Sequence, residues 1–286
     1  TIELLDADGQ PTGATTVTDV SGYYCFTTLL PGTYGVREQQ PIGYFDGVDQ
    51  AGTVGGTAHN PGDLITGVVL ASAADADDYN FGELPPASLS GYVFQDGPPI
   101  SVANPDDVPD VPSLRDGTLT VDDTPLAGVV LQLVDGVTGD PIDGSVALAG
   151  VYVAGQPITT STDAQGFYAF QGLPRGNYGV TILAPHGYLP GIDRAGSQGG
   201  IVLSRWTTVD PEVLDALLST PAGDAILRVP LGAGTQSVDN NFSVVQTVSQ
   251  AVQVFVFPQA PATAVPGGVP LVLPSVDMPI GPLGGA

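Results

Sequence analysis

Apolar residues along this chain recur at a period of two in short runs that end on Asp and Gly. Ile2-Glu3-Leu4-Leu5 and Val130-Leu131-Gln132-Leu133 each run into such a turn (Asp6-Ala7-Asp8-Gly9; Asp135-Gly136), which predicts two short strands. Thr18-Asp19-Val20-Ser21-Gly22 is an Asp-x-x-Gly turn feeding Tyr23-Tyr24-Cys25-Phe26, where Tyr24 and Phe26 share one face of a predicted strand. Leu29 and Gly32-Thr33-Tyr34-Gly35-Val36 give another turn and strand. Aromatic and β-branched alternation, with turn signals every ~8–12 residues, is the pattern of an antiparallel β-sandwich. Only one segment has helical spacing: Asp210-Pro211-Glu212-Val213-Leu214-Asp215-Ala216-Leu217-Leu218, with Asp210 as cap, Pro211 in the first turn and an apolar stripe of Val213, Leu214, Leu217 and Leu218.

The pattern occurs twice. Residues 15–56 align without a gap to 159–200, matching at about half of the positions, which marks a duplicated unit. Thr18/Thr162, Asp19/Asp163, Gly22/Gly166, Tyr24/Tyr168, Phe26/Phe170, Tyr34/Tyr178 and Val36/Val180 pair, and so do Gly43/Gly187, Tyr44/Tyr188, Gly47/Gly191, Asp49/Asp193 and Gly52/Gly196. Both copies close alike, at Asn80-Phe81 and Asn241-Phe242. The expected organisation is all-β: two tandem antiparallel Ig-like or prealbumin-like sandwiches at 1–84 and 85–246, followed by an extended tail at 247–286. The second carries insertions at 98–126 and 201–228, and the short helix lies in the latter. The repeated Gly47-x-Asp49-x-Ala51-Gly52-x-x-Gly55-Gly56 loop reads as Gly turns with an Asx-turn aspartate.

The copies differ at their start. The second opens with a strand, Ser88-Leu89-Ser90-Gly91-Tyr92-Val93-Phe94, whereas Thr1 aligns with Val130, so the first has no counterpart of it. A sandwich short of a strand exposes unpaired backbone groups and core side chains. The tail offers a strand of its own at 250–257, in which Val252, Val254, Phe255, Val256 and Phe257 are the candidate contact residues, among seven prolines and a single charge, Asp277. An apolar, uncharged tail of this kind suits strand addition to another copy. A head-to-tail contact that does not close would build a filament. The other source of the strand is a neighbouring repeat of a longer polypeptide.

Composition narrows the function. The 286 residues hold 30 acids, six arginines and no lysine, for a net charge of -24; this repels phosphate and anionic surfaces, so nucleic acid is not an expected partner. Lysine's absence also removes Schiff-base chemistry, a P-loop and any Lys-Asn isopeptide bond. At 42% hydrophobic residues the chain can build real cores. No apolar run approaches the ~18 residues of a membrane span. His59 and His186 fall at unrelated places in the two copies, and Cys25 aligns with Ala169, so no repeated nucleophile or zinc set emerges and no catalytic residue is expected. Arg205 and Trp206 are the one aromatic-cationic pair in the insertions; Trp206 reads equally well as core.

Thr18-Asp19-x-x-Gly22-Tyr23-Tyr24-x-Phe26-x-x-Leu29-x-x-Gly32-x-Tyr34-x-Val36, Pro41-x-Gly43-Tyr44 and Tyr79-Asn80-Phe81-Gly82 resemble the SdrD B-like domain, a relative of the Cna B-type sandwich of bacterial surface proteins. The second copy matches through Ser90-Gly91-Tyr92-Val93-Phe94, Thr162-Asp163-x-x-Gly166-Phe167-Tyr168-x-Phe170 and Gly187-Tyr188. The resemblance implies a non-enzymatic stalk, spacer or fibre component outside the cell, with adhesin as the alternative. It also implies calcium in an acidic loop after the first strand. Here that loop holds Asp96, Asp116, Asp122 and Asp123, interrupted by a Pro-rich insert. A further calcium candidate is Asp75, Asp77 and Asp78. Clustered carboxylates with loop carbonyls and water can supply the six to eight oxygens such an ion takes.

Overall fold

Short alternating runs between Asp and Gly turns favour hairpins over helices, and the computed structural model, which describes residues 1–104, 106–182, 185–204, 206 and 224–249, is built from strands. The first copy contributes β1 (Ile2–Leu5), β2 (Pro11–Thr16), β3 (Gly32–Glu38), β4 (Phe45–Asp46), β5 (Thr57–His59), β6 (Leu64–Leu70) and β7 (Glu83–Leu84). They form one antiparallel sheet of order β2-β1-β3-β6-β5 and a separate β4-β7 pair. The second copy contributes β8 (Ala87–Gln95), β9 (Ile100–Val102), the single-turn helix α1 (Val111–Leu114), β10 (Thr124–Pro125), β11 (Val130–Asp135) and β12 (Thr159–Ser161). It continues with β13 (Phe167–Leu173), β14 (Gly176–Ile182), β15 (Leu189–Pro190), β16 (Ile201–Leu203), β17 (Asp224–Leu231), β18 (Gln236–Ser237), β19 (Phe242–Val245) and β20 (Thr247–Ser249).

The duplication is visible in the pairing. Sheet β12-β11-β14-β17-β16 repeats the order of β2-β1-β3-β6-β5. Both sheets also shift register at the same place, between Tyr34 and Val36 and between Tyr178 and Val180. Opposite these shifts Gly67 and Arg228 take positive φ (69° and 55°), a bulge that sharpens the local twist. Facing the second of these sheets is another, in which β8 is central: β13 pairs with it antiparallel, β18 and β19 parallel, and β10 along its end. Leu89, Val93, Tyr168, Phe170 and Phe242 from this sheet meet Leu131, Leu133, Val180, Ile226 and Val229 from the other in one buried core, as the two inner faces of a sandwich should.

No sheet joins strands from both sides of residue 84, although residues 1–250 form one compact unit. Two expectations change. Thr247–Ser249 pairs in parallel with Ile100–Val102, so the tail's first residues and the 98–126 insertion belong to one small sheet. Residues 23–29 of the first copy form no ladder, although the alternation predicts a strand there. The remaining tail with its 250–257 strand, the 210–218 helix and Arg205 lie outside the described residues.

Candidate functional site

The first copy's difference is local. In the second copy the Asp163-x-x-Gly166 turn, closed by Gly166 N donating to Asp163 O, launches β13 onto β8. Phe167 stacks edge-on against Tyr92 of β8 at 5.4 Å, and Tyr168, Phe170 and Leu173 are fully buried. The same turn forms at Asp19-x-x-Gly22, where Asp19 Oδ1 accepts from Ser21 N and Tyr23 N. The segment that this turn launches has no β8 to pair with. Tyr23 is 64% exposed, and Tyr24, Phe26 and Leu29 are half-buried.

The surroundings of the slot are nevertheless set. Tyr24 Oη donates to Tyr79 O at 2.7 Å, as Tyr168 Oη donates to Asn240 O at 2.6 Å. Ring separations of 6.4 Å for Tyr24–Phe26 and Tyr24–Phe81 match 6.0 and 6.3 Å for Tyr168–Phe170 and Tyr168–Phe242. Asn241 Oδ1 accepts from Tyr92 N, while its counterpart Asn80 is exposed with no side-chain partner among the described residues. The slot also dictates a residue type. A Cβ on Gly91 would lie 1.8 Å from Asn240 O, so a strand in that register needs Gly where it crosses this carbonyl.

The acidic loop predicted from sequence closes on itself. Asp96, Asp116, Asp122 and Asp123 line one open cleft of about 400 Å³ together with Arg115. Several of their oxygens already accept backbone N–H groups: Asp96 Oδ2 from Gly117, Asp116 Oδ1 from Thr118, and Asp123 Oδ1 and Oδ2 from Gly97 and Thr120. The Asp122 carboxylate accepts none among the described residues. The Arg115 guanidinium donates to Asp96 O and Pro98 O. Burial, then the charges of Asp123 and Asp116, raises the Asp96 carboxyl above its ordinary range. The donor set is therefore partly spent on the loop's own backbone. Asp75, Asp77 and Asp78 do not form a comparable cluster: all three are exposed on an irregular stretch at the surface. The insertion's aromatic is half-buried: Trp206 donates from Nε1 to Pro190 O at 2.8 Å and packs against the small cluster of Ile100, Val111 and Val245.

A different set of acids is hidden behind the turn pattern. Asp49 is not a solvent-facing turn residue but 4% exposed, and Asp193 is 6% exposed. Their carboxylates accept from the equivalent amides Gly82 N and Ser243 N. The signal was present, since an aspartate repeated at an otherwise Gly-rich position needs a reason beyond turn formation. Asp63 lies close to Asp46 and Asp49 in one trio of acids and to Glu38 and Glu83 in another.

The family pattern of the SdrD B-like domain matches residues 1–88. Bone sialoprotein-binding protein of Staphylococcus aureus is 30% identical over 176 residues, 60% of this chain and 12% of that protein. Serine-aspartate repeat-containing protein D of S. aureus is 30% identical over 190 residues (66% and 12%), and protein F of Staphylococcus epidermidis 29% over 189 residues (66% and 9%). The chain thus spans only about an eighth, or less, of the length of these relatives. The minor pilin of Streptococcus agalactiae is a distant structural neighbour, 13% identical with a TM-score of 0.29 over 78% of this chain and 64% of that one. Over residues 1–88 the chain is similar to the SdrD B-like domain.

Proposed function

We propose that the chain is a non-enzymatic structural segment of a bacterial extracellular fibre or surface stalk, whose first sandwich is completed by a β-strand from outside residues 1–84. The observation that carries this reading is the preset slot, in which Tyr24, Phe26 and Phe81 keep the spacing of their buried counterparts while half exposed. Burying such aromatic and aliphatic side chains stabilises by roughly 1.5–3 kcal/mol each, and the added ladder supplies backbone partners. Calcium in the cleft of Asp96, Asp116, Asp122 and Asp123 belongs to the same reading, as a brace for the loop after β8.

The strand has two candidate sources. The tail segment 250–257 of another copy would make the contact head-to-tail and build a filament. A strand of β8's own pattern, with Gly at the Gly91 position, would come from a neighbouring repeat. The tail segment contains no Gly, so the slot's geometry favours the second source. Sedimentation and electron microscopy of the full chain, and of a chain lacking 250–286, separate them. Filaments lost on deletion support the tail as donor. A monomer that binds a peptide of sequence 87–95 at the first repeat supports the neighbouring repeat. A monomer that binds neither peptide nor tail overturns strand addition. Adhesion through the 98–126 and 201–228 insertions is the second reading, favoured by the binding protein among the relatives; the packing of Trp206 against Ile100, Val111 and Val245 leaves only part of its ring for such a contact.

A further inference from the structure

We propose that Glu38, Asp46, Asp49, Asp63 and Glu83 form a calcium site in the first repeat that ties the end of β3, the β4 turn, the start of β6 and β7 to one another. The fold brings them together from four elements. Glu38 ends β3, and its N–H donates to Asp63 O just before β6. Asp46 and Glu83 face each other directly across the β4-β7 pair, an arrangement of like charges that destabilises a ladder unless something offsets it. Asp49 follows β4 and is pinned on both sides, its N–H donating to Asn60 Oδ1 and its carbonyl accepting from Asn60 Nδ2. Gly62 N donates to Asp46 Oδ2.

Gly82 N also donates to Asp49 Oδ1, and Gln40 Nε2 to Glu83 Oε2; other carboxylate oxygens of the set stay unpartnered. Oxygens of Asp46, Asp49 and Asp63 lie within 4.8 Å of one another, as do those of Glu38, Asp63 and Glu83, so Asp63 belongs to both trios. Asp49 is only 4% exposed, and its Oδ2 has no hydrogen-bond partner. Asp46 Oδ1, Asp63 Oδ1 and Glu38 Oε2 are likewise buried and unpartnered. They make up four of the six such side-chain atoms among the described residues. A buried carboxylate oxygen without a partner is costly, and here such oxygens of four groups lie close together. No basic side chain offsets them: the one ion pair among the described residues is Arg37–Glu3, on β3 and β1.

The second repeat provides a control within the same chain. By the repeat alignment and the strand registers, the five positions become Ile182, Pro190, Asp193, Asp224 and Val244. Two carboxylates remain, and a single shared proton can satisfy them. Five cannot be satisfied in that way, and the three extra acids occupy positions that the same fold fills with apolar residues. The set is all oxygen, without His or Cys, which selects a hard cation. Oxygens on opposite sides of calcium, at ~2.3–2.6 Å from it, are about 4.8 Å apart, and the oxygens of each trio lie no farther from one another than that. Burial first, then the charges of Glu83 and Asp63, pushes the Glu38 carboxyl up to about 7, and burial raises Asp49, Asp63 and Glu83 as well; the field of the cluster is one that a dication would relieve.

The test uses the full chain stripped with EDTA and dialysed against calcium chloride, with bound calcium measured by elemental analysis. Wild type and D96N/D116N, which alters the cleft after β8, should both retain the first-repeat calcium. D49N/D63N should lose at least one bound equivalent while its circular dichroism stays that of β-structure. In EDTA, D49N/D63N should melt at or above wild type, because repulsion has been removed; carboxylates that served only as hydrogen-bond acceptors would melt lower. If that variant does not fold, D46N and E83Q carry the same measurement from half-buried positions. Full calcium retention in the folded variants, or no calcium bound by wild type, overturns the site. Loss in D96N/D116N alone would place calcium in the β8 cleft and also overturn it.

Discussion

Asp193 and Asp224 form a buried carboxylate pair in the second repeat. Burial foremost, then the Asp224 charge, holds Asp193 well above the usual carboxylate range, and burial pushes Asp224 up to about 7. Tyr168, the other titratable group beside Asp193, has its phenol pushed upward and stays neutral across this range. Both acids have folded pKa values above their ordinary ones, so the folded state binds more protons between about pH 4 and 7. Stability from the pair is therefore highest near pH 4 and falls as pH rises to about 7. We expect the melting temperature of the second repeat to drop over this interval, and D193N to flatten the drop; an unchanged pH profile in D193N would remove the pair as its cause. At this scale the sequence was only partly legible. Repetition flagged Asp49 and Asp193, but Asp63 and Asp224 sit in segments whose alignment emerges only from the strand registers Ile182↔Asp224 and Arg37↔Leu64.

At the level of single elements, alternation located β1, β3, β8 and β11 well, because each has its hydrogen-bonding partner within the chain. It failed at residues 23–29, where the residue pattern is as strand-like as that of β13. A strand is a pairing as much as a sequence, and β13 is ordered by the ladder Phe167↔Tyr92 to Leu173↔Ala87, for which the first copy has no equivalent. Amide hydrogen exchange should show this directly. Residues 167–173 should exchange slowly, at rates set by opening of the whole sandwich, while residues 23–29 exchange fast. A peptide of sequence 87–95 should slow the latter and leave the former unchanged. Equal protection of both segments without peptide would mean that the first sheet is already complete.

Across the whole molecule, the charge and the cores point to unequal repeats. Residues 1–84 carry 12 acids against one arginine, and residues 85–246 carry 17 against five, so the smaller unit holds the denser charge. It also has the smaller core: six buried hydrophobic residues in its cluster against 18 in that of the second repeat. Since hydrophobic burial scales with area removed from water and no sheet crosses residue 84, the two should not unfold as one cooperative unit. Calorimetry in EDTA is expected to resolve two transitions, the lower belonging to the first repeat. A ligand that binds only the folded first repeat, whether strand or cation, raises that transition by mass action and leaves the upper one in place. The unfolding order can be assigned independently, because Trp206 reports on the second repeat and the first has no tryptophan. Tryptophan fluorescence should track the upper transition. A single transition seen by both fluorescence and calorimetry would mean that the repeats share stability through contacts outside their sheets, and that a strand or cation taken up by one is felt by both.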